Sequence, residues 1–589
     1  MLKEAVYHRP KNEYAYAINE REIQIRLKTK KSDMIKVTLL YGDPYDYDSK
    51  RKSWIFEREH MVFNGSDQLF DYWLVTITPK NRRLRYGFQL ESETEILYFT
   101  EKGFFLKTPT DVGSYFCFPF LNAVDVFTPP NWVNNTVWYQ IFPERFANGD
   151  DSIDPKGTLA WGSAPPTPSN FFGGDFQGII NHLDYLVELG ITGLYFTPIF
   201  KAYSNHKYDT IDYMEIDPQF GDKATFKKLI EMCHERGIKV MLDAVFNHSG
   251  FYFPPFQDVI EKNEKSAYKD WFHIHNFPVS TIEPASYDTF SYVPSMPKLN
   301  TENRDVKTYL LNVAKYWIEE FDIDGWRLDV ANEVDHHFWR EFRSVVKKIK
   351  PDVYILGEIW HDSMPWLNGD QFDAVMNYPL TNAITAYFAK NEITTTEFIH
   401  SVTSIVNLYP ETVNEVQFNL LGSHDTPRIL TLSQNNKAKV KLQMLVQFTM
   451  AGTPCIYYGD EISMTGEQDP GCRECMIWDE SKQDSNMFSF TTKLIALRKQ
   501  HNLLRTNENF LFLETPDDEN VIFYRKKDRN GEIIVLINHN NFEKEFLLPE
   551  EYRNRVALNL WKNQKETLST TLNLNEFGFF LAQFSNETK

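Results

Sequence analysis

Gly325-Trp326-Arg327-Leu328-Asp329 is the stretch from which the fold and the chemistry of this chain can both be argued. Apolar residues alternate with small or charged ones, which predicts a short strand. With a period of two, Gly325, Arg327 and Asp329 face one side of that strand. The guanidinium then lies beside the carboxylate, where a fixed cation lowers the carboxylate pKa and favours ionisation. An ionised, positioned carboxylate can act as a nucleophile, although a purely structural Arg–Asp pair would have the same pattern.

Other short apolar runs on both sides of this stretch also predict buried strands. Those runs cover residues 137–142, 191–196, 239–246, 353–359, 372–377, 418–421 and 455–458. Helical periodicity separates them, as in 176–190, in the segment capped by Asp222 and in 306–320. Eight strands that alternate with helices predict an α/β fold, a (β/α)8 TIM barrel.

The barrel pattern is interrupted once and is flanked by β structure on both sides. The predicted domains are an N-terminal β-sandwich (1–125), the catalytic barrel (126–248 and 301–504), an inserted loop domain after strand 3 (249–300) and a C-terminal antiparallel β domain (505–589). The flanking domains are predicted from alternating apolar residues and turn residues without helical periodicity. The insertion follows the third strand, on the face where barrel enzymes place their active sites.

Composition excludes several classes of function. A net charge of −19 without blocks of like charge disfavours a nucleic-acid partner. The chain has no apolar run long enough for a membrane span and no apolar segment at its N-terminus typical of a signal peptide. Its 5 cysteines do not form a disulfide framework, and Cys472-x-x-Cys475 lacks the second pair that a zinc site needs. A cytoplasmic location is expected.

Charged residues are concentrated where the predicted strands end. They are Asp243 and His248 with the polar Asn247 at the end of the third strand, Arg327 and Asp329 at the end of the fourth, Glu358 at the end of the fifth, and His424 with Asp425 after the seventh. In a barrel these ends meet at one rim. Like charges repel and are costly to bury, so their convergence indicates chemistry. Two carboxyl groups about 5–5.5 Å apart would support retaining glycoside hydrolysis.

Four short motifs carry a family resemblance. They are Asp243-Ala244-Val245-Phe246-Asn247-His248, Gly325-Trp326-Arg327-Leu328-Asp329, Gly357-Glu358-Ile359-Trp360 and Ser423-His424-Asp425, in this order. Together they resemble the α-amylase family of glycoside hydrolases. Met296-Pro297-Lys298-Leu299-Asn300, Val330-Ala331-Asn332-Glu333-Val334 and the N-terminal His8-Arg9-Pro10 resemble the neopullulanase, cyclomaltodextrinase and maltogenic amylase group. That group cleaves α-1,4 bonds of cyclomaltodextrins, maltooligosaccharides and pullulan, and also transfers glycosyl groups.

The resemblance implies catalytic roles for three carboxylates. Asp329 would be the nucleophile and Glu358 the general acid and base. Glu358 must start protonated, so burial and nearby carboxylates are expected to raise its pKa. Asp425 would hold the 2- and 3-hydroxyls of the sugar.

It also implies sugar-binding roles for residues around them. Arg327 would keep Asp329 ionised, Tyr208 would stack on the sugar, and His206, His248 and His424 would hydrogen-bond it. Asp469 and Arg473 would hold the next sugar, and Glu333 and Trp360 would line the acceptor side. The implied substrate-binding residues are His206, Tyr208, Asp243, Asn247, His248, Arg327, Glu333, Trp360, His424, Asp469 and Arg473.

The resemblance further implies a structural calcium ion and a homodimer. The loop 148–154 together with 173–175 is similar to the calcium loop of the group, and calcium prefers oxygen ligands. The implied ligands are Asn148, Asp150, Ile153, Asp154, Gly173 and Asp175. Asn-Gly-Asp is also ordinary turn chemistry. The dimer would form through the N-terminal domain, which would cover the active site of the partner chain.

Two other functions compete with this interpretation. An α-glucosidase, or a sucrose or trehalose isomerase, could use the same barrel, but the 296–300 stretch and the N-terminal domain argue against it. A catalytically silent amylase-like binding or transporter subunit would lose members of the carboxylate trio. Asp329, Glu358 and Asp425 are all present here.

Overall fold

The computed structural model describes residues 1–50 and 52–585. Within them the chain forms two compact units. One unit comprises residues 1–128, 391–415 and the residues from 506 onward, and the other comprises 129–390 and 416–505. Residues 391–415 lie within the part that the sequence assigns to the barrel, yet they belong to the unit of the flanking β domains.

A closed parallel barrel forms the centre of the second unit. Within residues 129–390 and 416–505, all of them described, the strands are β1 (Trp138–Ile141), β2 (Gly193–Phe196), β3 (Lys239–Ala244), β4 (Gly325–Leu328), β5 (Tyr354–Gly357), β6 (Ala374–Val375), β7 (Phe418–Leu420) and β8 (Thr453–Tyr457). The strand order is β6-β5-β4-β3-β2-β1-β8-β7. A parallel bridge between Met376 and Phe418 joins the two ends of the sheet. The predicted (β/α)8 fold is confirmed.

The register of β4 and β5 determines which side chains leave the barrel together. Leu328 pairs with Gly357 in the parallel ladder. Asp329 and Glu358 each follow one of these paired residues, so they emerge side by side at the carboxyl rim. The inward-facing barrel core below them includes Tyr195, Met241 and Leu356, all buried.

Helices surround the barrel. Among the described residues of this unit they are Pro143–Phe146, Phe176–Asn181, Leu183–Leu189, Lys223–Glu235, Pro254–Lys262, Arg304–Phe321, His336–Ile349, Tyr378–Ile384, Ile429–Leu432, Lys437–Thr449 and Ser485–Gln500. Asp222 caps its helix as predicted, because its Oδ1 accepts the Thr225 N–H at 2.7 Å. The single helix predicted over 176–190 is instead two helices. They meet at His182, whose Nδ1 lies 2.7 Å from the Gly178 carbonyl oxygen.

The inserted segment after β3 is anchored to the barrel at its two ends. An isolated bridge pairs His248, which follows β3, with Lys298 near the end of the segment, and a second bridge within the segment pairs Thr289 with Pro297. At its start, the Gly250 N–H donates to the Thr210 carbonyl at 2.8 Å. A Cβ on Gly250 would lie 2.1 Å from the Asp209 carbonyl oxygen, so only glycine allows this close approach.

The first unit contains antiparallel β structure at both ends of the chain. Its N-terminal strands include Ala15–Ala17, Ile23–Lys30, Lys36–Gly42, Glu57–His60, Val62–Ser66, Phe70–Ile77, Leu84–Glu91, Ile96–Thr100, Gly103–Phe105 and Phe116–Phe118. Its C-terminal strands include Leu511–Phe512, Val521–Lys527, Gly531–Asn538, Lys544–Leu547, Val556–Asn559, Gln564–Thr567, Thr571–Leu574 and Phe579–Ser585. The helices Thr395–Val406 and Glu411–Asn414 belong to the same unit. The predicted N-terminal sandwich and C-terminal antiparallel domain are confirmed. In the described part of the chain, no helix is long and apolar enough to span a membrane.

Candidate active site

A cavity of about 430 Å³ opens at the carboxyl ends of the barrel strands. Its walls are formed by His206, Tyr208, His248, Phe290, Met296, Asp329, Val330, Asn332, Glu358, Trp360, Asp425, Asp469 and Arg473. Asp329, Glu358 and Asp425, the three carboxylates that the sequence selects, all line this one cavity. Its size and its mixture of aromatic and polar walls are typical of small-molecule sites.

One buried guanidinium binds two of those carboxylates. Arg327 Nη1 donates to Asp329 Oδ1 at 2.7 Å, and Nη2 lies 2.9 Å from Glu358 Oε2. Nη1 also donates to Asp243 at 2.9 Å. Asp329 Oδ2 is buried and receives no hydrogen bond from any described residue. The arrangement therefore fixes the Asp329 carboxylate through one oxygen and leaves the other available for reaction.

Glu358 is oriented by the backbone that follows β4. Its Oε2 accepts the Val330 N–H at 3.0 Å, and its Oε1 receives the Trp360 indole N–H at 3.3 Å. Val330 adopts the left-handed conformation, with φ 46°. That conformation is unfavourable for a β-branched residue, and such strain concentrates at functional sites. The turn at Val330 directs its amide toward the carboxylate of the neighbouring strand.

The buried carboxyl groups of Asp243 and Asp329 hold protons more tightly than free carboxyl groups do. Burial raises the pKa of Asp243 to about 6 despite the opposing charge of Arg327. Burial also raises the pKa of Asp329, and Arg327 only partly offsets the increase. Arg327 lowers the Asp329 pKa as expected, but burial and the charges of Glu358 and Asp243 outweigh that effect, so the net pKa lies above its ordinary value. If Asp243, Asp329 and Glu358 were all ionised, their three negative charges and the one positive charge of Arg327 would leave a net charge of −2.

A hydrogen-bonded chain lies beneath the cavity. Gln140 donates to Nδ1 of His424 at 2.7 Å, and Nε2 of His424 lies 2.7 Å from the Tyr208 hydroxyl. That hydroxyl donates to Asp243 Oδ2 at 2.9 Å. Burial and the charge of Arg473 hold the pKa of His424 well below its ordinary value. The neutral ring therefore carries its proton on Nε2 and donates to Tyr208, which fixes the direction of every bond in the chain.

The other two histidines of the site are also kept neutral. Burial lowers the pKa of both His206 and His248 to about 3. His248 stacks on Phe290, with ring centroids 4.9 Å apart, and its Nε2 is buried without a described partner. A neutral imidazole can donate one hydrogen bond and accept another, so these side chains can bind the hydroxyl groups of a neutral ligand.

Arg473 connects the third carboxylate to the loop 469–473. Its Nη2 lies 3.2 Å from Asp425 Oδ1, and its Nη1 lies 2.8 Å from Asp469 Oδ1. Its Nε donates to the His424 carbonyl at 2.8 Å. This guanidinium places Asp425 and Asp469 on one wall of the cavity. Burial raises the pKa of both carboxyls, and the charge of Arg473 opposes the increase.

The remaining predicted residues lie at one edge of the cavity or outside it. Trp360 is 46% exposed and stacks on Tyr378, with ring centroids 3.6 Å apart. Glu333 lies in a neighbouring cavity, where its Oε2 is 3.3 Å from Lys298 Nζ. The same Lys298 ammonium donates to Asn247 Oδ1.

The structure sorts the predicted substrate-binding residues into three groups. His206, Tyr208, His248, Trp360, Asp469 and Arg473 line the cavity. Asp243, Asn247, Arg327 and His424 are buried beneath its walls and hold the lining residues. Glu333 belongs to the adjacent cavity. Sequence reasoning missed Phe290, Met296, Val330 and Asn332, although the last three occur in stretches that carry the family resemblance.

The loop predicted to bind calcium is held together by hydrogen bonds to two of its carboxylates, those of Asp154 and Asp175. Asn148 Nδ2 donates to Asp154 Oδ1 at 3.0 Å, and a Cβ on Gly173 would lie 2.2 Å from that same Oδ1. Asp175 accepts the N–H groups of Gly149, Asp150 and Gly178. Burial raises the pKa of Asp154, with further contributions from Asp175, Asp151 and Asp150. In the described chain no three His, Cys, Asp or Glu side chains converge on a metal position. Amide, carbonyl and carboxylate oxygens without sulfur or imidazole fit calcium.

Known proteins are similar to this chain over nearly its whole length. Residues 140–507 match the alpha amylase catalytic domain, and residues 1–122 match the alpha amylase N-terminal ig-like domain. A cyclomaltodextrinase of Geobacillus thermopakistaniensis (strain MAS1) is 56% identical, over 99% of both chains. A maltogenic alpha-amylase of Bacillus acidopullulyticus is 54% identical, over 99% of this chain and 100% of the relative. The solved structure of a cyclomaltodextrinase has a TM-score of 0.94 at 51% identity, covering 100% of both chains.

Proposed function

The chain belongs to the α-amylase family of glycoside hydrolases, and from that premise we propose that it cleaves α-1,4-glucosidic bonds through a covalent glycosyl intermediate on Asp329. It is a glycoside hydrolase of α-glucans. Cyclomaltodextrins, maltooligosaccharides and pullulan are its proposed substrates, and transfer to a sugar acceptor is its proposed second reaction. The observation that carries the proposal is Arg327, which binds Asp329 at 2.7 Å and Glu358 at 2.9 Å in one cavity.

The first chemical step uses both carboxyl groups. Glu358 donates its proton to the glycosidic oxygen, the bond between that oxygen and the anomeric carbon breaks, and the Asp329 oxygen bonds to the anomeric carbon. The free Oδ2 of Asp329 is the attacking atom, because Oδ1 is held by Arg327. The charge and the hydrogen bond of Arg327 lower the Asp329 pKa and so favour the ionised form that attacks.

The second step reverses the roles. Glu358, now ionised, takes a proton from a water molecule or from a sugar hydroxyl. The oxygen so activated attacks the anomeric carbon, and the Asp329 carboxylate leaves. Because each step inverts the anomeric configuration, the product retains it. A water molecule yields hydrolysis, and a sugar hydroxyl yields transglycosylation.

The remaining walls hold the sugar. Asp425 would accept hydroxyl groups of the sugar being cleaved, and Tyr208 would support its ring. Neutral His206, His248 and His424 would hydrogen-bond without competing for the catalytic proton. Arg473 and Asp469 would hold the next sugar on one side, while Trp360 and Glu333 would contact the acceptor. These assignments follow the wall and edge positions of the side chains, except that of His424, which lies beneath the wall and is assigned from the family resemblance.

Calcium, dimerisation and a cytoplasmic location complete the proposal. Asn148, Asp150, Asp154 and Asp175 side chains with the Ile153 and Gly173 carbonyls would hold the ion, which would neutralise adjacent carboxylates and fix the loop. The N-terminal domain would form the homodimer and narrow the partner's cleft. Analytical ultracentrifugation tests the dimer, since a monomer at micromolar concentration contradicts it, and calorimetric titration of the chelator-treated protein with Ca2+ tests the ion, since an absence of binding contradicts it.

Product analysis on β-cyclodextrin, pullulan and soluble starch tests the function. We expect maltose-sized products from cyclodextrin, faster turnover of cyclodextrin than of starch, and α-anomers as the first products in proton NMR spectra. Initial release of β-anomers would contradict the intermediate on Asp329. Glucose released singly from maltose, or isomerised sucrose, would indicate instead the glucosidase or isomerase function.

A further inference from the structure

Two exposed tyrosines contact each other on the loops that form the active site. Tyr203 is 69% exposed and Tyr252 is 49% exposed. Their ring centroids are 5.3 Å apart and their planes are inclined by 43°. A single exposed aromatic side chain is common on protein surfaces, but a contacting pair places a continuous apolar surface in water.

The pair lies on the same two chain segments that build the cavity wall. Tyr203 precedes the lining residue His206 by three positions, and Tyr252 follows the lining residue His248 by four. Even a fully extended chain separates the α-carbons by at most about 11 and about 14 Å over these distances. The Gly250 N–H bond to the Thr210 carbonyl ties the two segments together. An oligosaccharide that fills the cavity and extends beyond it can therefore reach the tyrosines.

The two segments that carry Tyr203 and Tyr252 are held together by other contacts. Buried Tyr213 already connects them, because its hydroxyl donates to the His248 carbonyl at 2.7 Å. The Tyr213 ring also packs on Phe253, with ring centroids 5.6 Å apart. Tyr203 and Tyr252 bury little by comparison, so packing gives them little stabilising role.

We propose that Tyr203 and Tyr252 form an additional glucan-binding subsite outside the catalytic cavity, on which glucosyl units of a longer substrate stack. The C–H faces of glucose are apolar and flat, and two adjacent uncharged rings with hydroxyl groups suit a neutral sugar. The inference rests on the proposed α-glucan hydrolase function and adds a subsite that only longer chains reach.

The test compares substrate lengths in matched variants. Wild type, Tyr203→Ala/Tyr252→Ala and Tyr203→Phe/Tyr252→Phe are assayed on maltoheptaose and on maltotriose. We expect the alanine pair to lower kcat/KM for maltoheptaose about three- to tenfold, mainly through KM, relative to maltotriose. The phenylalanine pair keeps the stacking surface and should restore most of that ratio. Phe542→Ala, which removes a 56% exposed ring of the C-terminal domain, is the control and should leave the ratio unchanged.

Binding measured without turnover gives a second readout. In a Glu358→Gln background, titration calorimetry with maltoheptaose should show the same three- to tenfold weakening for the alanine pair. An unchanged ratio and unchanged affinity would overturn the subsite, as would an equal loss on both substrates, since that indicates damage to the loops. A wild-type enzyme inactive on every glucan would instead overturn the proposed function.

Discussion

The fourth barrel strand is flanked by two buried aspartates whose surroundings are opposite. Asp324 precedes the strand and accepts hydrogen bonds from His234, Lys239, Lys350 and the Val240 N–H. Asp329 follows it, shares one guanidinium with two other carboxylates and has an oxygen without a described partner. The charge of Asp324 is compensated by several cationic partners, whereas the charge of Asp329 is compensated only in part.

The pKa values of the two aspartates diverge accordingly. Burial opposes ionisation of Asp324, but the hydrogen bond from His234 and the charge of Lys350 hold its pKa well below the ordinary value. Burial raises the pKa of Asp329 above the ordinary value. At the amino rim of the barrel, Asp324 therefore serves stability. At the carboxyl rim, the negative charge of Asp329 is only partly compensated by Arg327, which suits a reacting group. Substitutions at the two positions should separate stability from activity.

Asp329→Asn should have the largest effect on activity. Removing the nucleophile should lower kcat by on the order of a thousandfold or more, because the covalent step is lost. Glu358→Gln should give a loss of similar size while sugar binding remains, since the general acid is removed and the cavity walls stay. Steady-state kinetics with β-cyclodextrin and calorimetric binding measure both.

The stability of these two variants is the matching control. Both amides relieve like-charge repulsion in the cluster, so the free energy of unfolding should not fall. Near-normal turnover in either variant would show that its catalytic role is misassigned.

Asp324→Asn should have the opposite result, a loss of stability without a loss of activity. It removes a buried anion from three partly exposed cationic partners, and the loss of such charge-assisted hydrogen bonds costs about 1.5–3 kcal/mol of unfolding free energy. Urea unfolding followed by tryptophan fluorescence measures the loss. The kcat of the folded protein should stay near the wild-type value, because Asp324 lies at the other end of the strand. A large loss of kcat without loss of stability would contradict the separation of the two rims.

The sequence predicts this barrel well because its evidence is periodic and local. Each barrel strand overlaps a short run that the sequence predicts as a strand from its apolar residues, and Leu328 pairs with Gly357 where two of these strands are neighbours. The same pattern does not predict which polar residues line the cavity. Asp243 and His424 lie below it because side-chain direction depends on packing between strands that are distant in sequence.

The spacing of apolar residues does not predict side-chain positions in segments that have no periodic pattern. Phe290 lies in the inserted segment, where no repeat indicates which side chain turns toward the cavity. The break at His182 depends on a side chain that bonds its own helix, and the apolar spacing on both sides continues through it.

Tyr208→Phe tests the hydrogen-bonded chain beneath the carboxyl rim. Loss of the hydroxyl removes the bonds to His424 and to Asp243 but keeps the ring, so kcat should fall about tenfold. Tyr195→Phe is the matched control, because the Tyr195 hydroxyl donates to the same Asp243 oxygen at 2.9 Å and does not contact His424. We expect a smaller loss from Tyr195→Phe. Equal losses would assign the effect to Asp243 alone.

The pH dependence of stability gives the smallest and most direct test of the contrast between the two aspartates. The native pKa of Asp324 lies below the unfolded value of about 3.9, so its contribution to stability is complete above that pH and is lost as the pH falls. The native pKa of Asp329 lies above about 3.9, so its contribution is complete below that pH and is lost as the pH rises.

The two asparagine variants should therefore change the stability profile in opposite directions. Asp324→Asn should weaken the loss of unfolding free energy that occurs as the pH falls below about 4. Asp329→Asn should weaken the loss that occurs as the pH rises above about 4. Each group contributes at most about 1.4 kcal/mol per pH unit, so urea unfolding at half-unit pH intervals resolves the difference. If both variants flattened the same limb, the two ends of the strand would not differ in charge compensation, because only opposite native pKa shifts produce opposite slopes.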